Sequence, residues 1–116
     1  MLFTVDPSAP EPLFEQLAAS VRGSIIAGDI AAGTRLPSAR DLADSLDINL
    51  HTVLRAYQEL RDEGFLDLRR GRGAIVAERA HDYERLAQLI TQLVAEARQL
   101  GLTPGALSAL IREAYL

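Results

Sequence analysis

The chain has no cysteine. That excludes disulfide frameworks, thiolate metal sites and cysteine nucleophiles. Lysine is missing as well, so all 12 basic residues are arginine. Arginine is the side chain best suited to forked contacts with phosphate and with guanine. A GC-rich coding bias, which also accounts for the many alanines, explains that composition by itself. A positive balance is missing too: 16 acidic residues bring the net charge to −4. Indiscriminate nucleic-acid binding is the habit of strongly cationic domains. Any nucleic-acid role for this chain has to rest on where its arginines stand. No stretch reaches the roughly 18 apolar residues of a membrane span. The N-terminal MLFTVDPSAPEPLFEQL lacks the basic and apolar regions of a signal peptide. The expectation is a soluble, cytoplasmic protein with no membrane partner.

Sets of residues that carry chemistry are scarce. No paired nucleophile and base stands out. His51 and His81 are isolated from any Asp/Glu/His cluster at ligand spacing, so no metal is expected. The run RGRG lacks the strand–loop–helix context of a phosphate-binding loop. No cofactor is expected, and the chain does not read as an enzyme. Repeats and low-complexity segments are absent. The 116 residues are 48% hydrophobic and 24% charged, which suits one compact domain, or one domain and a short appendage.

What is present is periodic. Phe3–Val5 reads as a short strand, closed by Pro7 and Pro10. Pro12 suits the first turn of a helix, where a missing N–H is harmless. Leu13, Phe14, Leu17, Ala18, Val21 and Ile25 recur at helical spacing, and Gly28 ends that helix. DIAAGTRLPS is a connector. Ser38 is a good N-cap, with Asp41 three residues on. The short helix that follows turns Leu42, Ala43 and Leu46 inward, and Asp47-Ile48-Asn49 makes a tight turn. A third helix runs from about Leu50 to Glu63. It has Val53, Ala56, Tyr57 and Leu60 on one side and His51, Arg55, Gln58 and Asp62 on the other. Tyr57 reads as core. Gly64 closes the helix. FLDLR and AIVAE then read as two strands around RGRG. From about His81 the helical pattern returns in Leu86, Leu89, Ile90, Leu93, Val94, Ala97 and Leu100. Gly101 ends it. Thr103-Pro104 opens a last helix with Leu107, Leu110, Ile111 and Ala114 on one face.

Three helices followed by an arginine-tipped hairpin is the order of a winged helix-turn-helix. In that arrangement the third helix projects one face into the DNA major groove. The slim cationic tip Arg69-Arg70-Gly71-Arg72-Gly73 suits phosphates or an adjacent minor groove. The run from Pro12 to Gly73 also resembles the DNA-binding domain of the GntR family. The resemblance is carried by G-x-x-x-x-G-T-R-L-P-S-x-R-x-L-A from Gly28 to Ala43, by T-V-x-R-A-Y at Thr52–Tyr57, and by the E-G-F-L…R-x-G-R-G wing. It covers about two-thirds of the chain. Only residues 80–116 follow the wing, and they read as two helices. That is similar to the YtrA-type subfamily, whose short tail mediates dimerisation. The aminotransferase-like or ligand-binding domains of larger subfamilies have no room here.

The expected fold is therefore mainly α with a small β-hairpin: a winged helix-turn-helix over 1–79 and a two-helix dimerisation tail over 80–116. The resemblance implies DNA contacts from Ser38, Arg40, His51, Thr52, Arg55, Arg70, Gly71, Arg72 and Gly73. Arg69 is left out of that set, since strand alternation can turn it elsewhere. Arg55 has a local alternative in Glu59, four residues on. Two amphipathic helices expose more apolar surface than a small neighbour covers. Leu86, Leu89, Ile90, Leu93, Ala97, Leu107, Leu110 and Ile111 are thus expected to bury against a two-fold mate. The function so implied is a dimeric regulator, a repressor, on an inverted-repeat operator. A winged-helix protein-interaction module that does not bind DNA is the alternative, supported by the acidic balance. A small-molecule effector, if one acts, would have to bind between winged domain and tail. Two departures from the family stand out. Asp47 replaces the usual turn Gly, and Leu50 replaces an Arg, or the Pro of YtrA-like members. The first is tolerable because Asp accepts left-handed backbone angles. The second removes a base-reading arginine.

Overall fold

The computed structural model describes residues 3–116, with the backbone alone at residue 81. Its helices are α1 (Leu13–Ile26), α2 (Ala39–Leu46), α3 (Leu50–Asp62), α4 (Glu84–Gln99) and α5 (Pro104–Ala114). A hairpin of β1 (Leu66–Arg69) and β2 (Gly73–Val76) follows α3, and a 3₁₀ segment, Glu78–Tyr83, precedes α4. The fold is mainly helical with a small antiparallel sheet, as the pattern implies. Two compact units make up the chain: one ends at Glu84, and the other is Arg85–Leu116.

In the first unit, Leu17, Ala18, Val21 and Ile25 of α1 are buried against Val53, Ala56, Tyr57 and Leu60 of α3 in one apolar cluster. Pro12 does not occupy the first turn of α1. Its ψ of 145° is not helical, so it holds the cap position, and Leu13 begins the helix. Its carbonyl accepts from the Glu15 and Gln16 amides. Ser38 caps α2 by accepting from the Asp41 amide at 3.1 Å. Asp47 ends α2 in the left-handed region, at φ 55° and ψ 49°. Asn49 then caps α3 by accepting from the His51 amide at 2.7 Å. The turn between α2 and α3 is thus made by one left-handed Asp and one Asn cap. The buried Tyr57 hydroxyl donates to the Pro37 carbonyl at 2.7 Å. That bond ties the middle of α3 to the residue before the α2 cap.

The hairpin pairs Leu66 with Val76 and Arg69 with Gly73. Each strand is shorter than the sequence pattern suggests, although the Ala77 amide still donates to the Phe65 carbonyl. A further pairing lies in the segment read as a connector. Arg35 bridges Ile75 antiparallel. The Leu36 amide donates to the Ala74 carbonyl and the Val76 amide to the Thr34 carbonyl, both at 2.9 Å. β2 therefore has partners on both edges. The strand expected at Phe3–Val5 does not form. Phe3 is instead inserted into the core. The lead-in is held by Gln16, which accepts from the Asp6 amide and donates to the Asp6 and Glu11 carbonyls. Side-chain bonds of this kind satisfy a backbone that has no sheet edge beside it.

At the far end of α3, Arg22 pairs with Glu63 at 2.6 Å. The Phe65 ring stacks on Tyr83, with centroids 5.1 Å apart. Gly64 turns the chain between them at φ 88°, and a Cβ there would meet the Arg79 guanidinium at 2.7 Å. In the second unit, Gly101 at φ 73° reverses the chain. Thr103 caps α5 by accepting from the Ala106 amide, and Pro104 sits in the first turn.

The α2–α3 junction makes stability sensitive to Tyr57 and to Asp47. Tyr57→Phe orphans the Pro37 carbonyl and should lower unfolding free energy by about 1–2 kcal/mol, read by urea titration. Burial pushes the Tyr57 phenol well above its ordinary 10.0. The folded protein therefore keeps a proton that the unfolded chain releases, and stability should decline as pH rises above about 10. Tyr57→Phe should flatten that decline in alkaline thermal melts. Asp47→Val places a β-branched residue at positive φ and should cost about 1–2 kcal/mol, whereas Asp47→Gly should be accommodated without loss.

Candidate nucleic-acid interface

Because Val53, Ala56, Tyr57 and Leu60 face the core, the opposite side of α3 is committed to solvent. His51, Arg55, Gln58 and Asp62 are exposed there and Thr52 is half-buried. Ser38 and Arg40, at the start of α2, are exposed as well, as are Arg70, Gly71, Arg72 and Gly73 at the hairpin tip. The tip is a tight turn in which the Arg72 amide donates to the Arg69 carbonyl at 3.0 Å. Gly71 has φ 80°, and the third position of a type II turn requires such an angle. Two glycines beside three arginines keep the tip slim while it carries positive charge.

The structure sorts these residues into two grooves flanking α3. His51, Thr52 and Arg55 line one with Phe14 and Asn49, at the start of α1. Ser38, Arg70 and Gly73 line the other, of about 330 Å³, together with Leu54, Gln58 and Arg69. Arg40, Gly71 and Arg72 line neither. Arg55 does not turn to Glu59. Its guanidinium lies over the Phe14 ring, 3.7 Å from the centroid, a contact worth about 0.5–1 kcal/mol at an exposed site. That contact holds a cation in a chosen place at the edge of the α3 face. Arg69 shares the wing-side groove with Arg70.

Charge is placed more selectively than the total suggests. The ion pairs among the described residues join Arg22 to Glu63 and Arg61 to Asp62. Neither engages Arg40, Arg69, Arg70 or Arg72. An acidic chain thus keeps exposed guanidinium groups at the start of α2 and on the wing out of the ion pairs among its described residues. The described residues hold no group of three His, Asp or Glu placed for a metal ion; the His81 side chain lies outside the description. No helix among them is long and apolar enough to cross a membrane.

Sequence reasoning passed over three features. Phe14, read as part of the α1 core stripe, is the platform under Arg55. Residues 34–36 pair with β2. Leu54, 36% exposed, lies on the wing side of the α3 face. Helical spacing from His51 and to Gln58 places Leu54 outward, and that was the available signal.

The family model for bacterial regulatory proteins of the gntR family matches residues 13–76. The HTH-type transcriptional regulator Rv1152 of Mycobacterium tuberculosis is 38% identical over 85% of this chain and 82% of its own length. The HTH-type transcriptional repressor YtrA of Bacillus subtilis is 30% identical over 97% of this chain and 91% of its own. Among solved structures, YtrA from Sulfolobus acidocaldarius, a GntR-family transcription factor, superposes with a TM-score of 0.64 at 30% identity, covering 82% of this chain and 99% of that one. The chain belongs to the GntR family of bacterial regulatory proteins and is of the YtrA type.

Proposed function

We propose that the protein is a homodimeric repressor that binds an inverted-repeat operator. The observation that carries this reading is the exposed polar face of α3 together with exposed arginines that no carboxylate among the described residues pairs, Arg40 on α2 and Arg69, Arg70 and Arg72 on the wing. In this reading α3 enters the major groove, with His51, Thr52 and Arg55 at its leading side. Arg40 reads a base edge near the start of α2, and Ser38 meets a phosphate. The tip, Arg70 to Gly73, lies along phosphates or in the neighbouring minor groove. A cytoplasmic location accompanies work on the chromosome.

The second unit supports the dimer. Leu86, Leu89, Ile90, Leu93, Leu110 and Ile111 are between 41% and 52% exposed. Large side chains of this kind along both helices form an apolar face that a two-fold mate covers. Ala97, by contrast, is already buried at 6%, and Leu107 is half-buried. Both line the small cavity between α4 and α5 with Val94 and Leu102. Their part in dimerisation is to hold the two helices together beneath that face.

The net charge of −4 favours the second reading, a winged-helix module that binds protein. The two separate in an electrophoretic shift assay with the chain's own promoter region. A specific shift at low salt that weakens steeply as salt rises supports the operator reading. No shift at low salt supports the protein-binding module. Arg40→Ala should cost about 1–3 kcal/mol of binding and relax discrimination at one base pair, while Arg72→Ala should weaken all sequences alike. Unchanged binding in both variants would remove the site assignment. Leu93→Asp should convert the dimer to monomer in sedimentation equilibrium and leave far-ultraviolet dichroism of the winged unit in place. A monomeric wild-type protein would reject the dimer.

A further inference from the structure

Of the large apolar side chains exposed among the described residues, Leu54 alone lies in the first unit. It stands three residues after His51 and four before Gln58, on the outward side of α3. The groove that it lines is floored by apolar groups, Ala39, Leu68 and Ala74, and rimmed by Ser38, Arg69 and Arg70. An exposed leucine on an otherwise polar helix face carries a hydration penalty that a complex can relieve. The occupant has to be apolar at one point and anionic beside it, to match leucine and arginines together.

We infer that Leu54 reads the 5-methyl group of a thymine. This rests on the operator-binding reading above. The thymine methyl is the one apolar feature that a base pair presents in the major groove. The phosphates of the same strand supply the anions that Arg69 and Arg70 face. Gln58, one turn along, has the donor and acceptor that suit adenine. Leu54 therefore gives α3 a preference for an A·T pair on the wing side of each half-site. It supplies base selection by shape where Leu50 supplies no arginine.

The test uses the full chain. Duplexes that it retains from a random-sequence library define the site. The site is then resynthesised with deoxyuridine in place of each thymine in turn, which removes one methyl and leaves base pairing intact. At one thymine per half-site, the wild-type protein should lose about fourfold in affinity, the worth of one buried methyl. Leu54→Ala should bind thymine and deoxyuridine duplexes equally at that position. If every deoxyuridine duplex binds as well as its parent, the inference is overturned and operator binding stands. If Leu54→Ala keeps the fourfold discrimination, another residue reads the methyl and the inference is again overturned. If no sequence is enriched from the library, the operator reading falls and takes the inference with it.

Discussion

Val53, Ala56, Tyr57 and Leu60 bury one side of α3 completely, and the geometry of the winged unit depends on that stripe. Helical periodicity leaves the opposite side no choice of direction. Tyr57 then fixes α3 against α2 as well as against the core. Its hydroxyl has a single acceptor, the Pro37 carbonyl, and leaving it unpaired would cost about 1–3 kcal/mol. Pro37 immediately precedes the Ser38 cap, so the residue that fills the core also sets where α2 begins. Arg40 and the α3 face are placed relative to each other by this one bond and by the left-handed turn at Asp47.

The charge distribution follows the same division between inside and outside. Arg22 and Arg61 spend their charge on neighbouring carboxylates. Arg22 also reaches over the Phe65 ring, 5.9 Å from its centroid, so it belongs to the packing at the far end of α3. Arg55 is held by a ring and keeps its charge. The arginines at the hairpin tip lie too close in sequence to be comfortable together, and an anion relieves their repulsion. A chain of net charge −4 can therefore favour one polyanion geometry and stay indifferent to polyanions in general.

Most of the winged unit was legible in the sequence because its signals are local. Ser38, Gly28 and Gly64 mark helix ends by rules that need only near neighbours. The α3 stripe is four residues at helical spacing. What escaped is long-range. Residues 34–36 lie some forty positions from their partners in β2, and a three-residue segment shows no alternation to announce a strand. Phe3–Val5 has the composition of a strand but no edge to pair with. Phe14 carries the spacing of a core residue, and only the approach of Arg55 reveals its exposed side. Leu54 has outward spacing on α3, but a lone exposed leucine reads as ordinary surface until the wing-side groove that it lines is seen. Ala97 and Leu107 share the spacing of the exposed leucines, yet the tight reversal at Gly101 packs α5 against α4 and turns both toward the cavity between the two helices.

The pairing of residues 34–36 with β2 joins the base of the wing to the segment that leads into α2. Three backbone hydrogen bonds link them there, from Gly33, Leu36 and Val76. Wing and α2 consequently move as one lever, with little freedom to spread or close. A ligand that spans both must fit a fixed gauge. For a double helix, the compliance then lies in the nucleic acid, and the elastic work of matching groove width to gauge varies with base sequence even at steps no side chain touches.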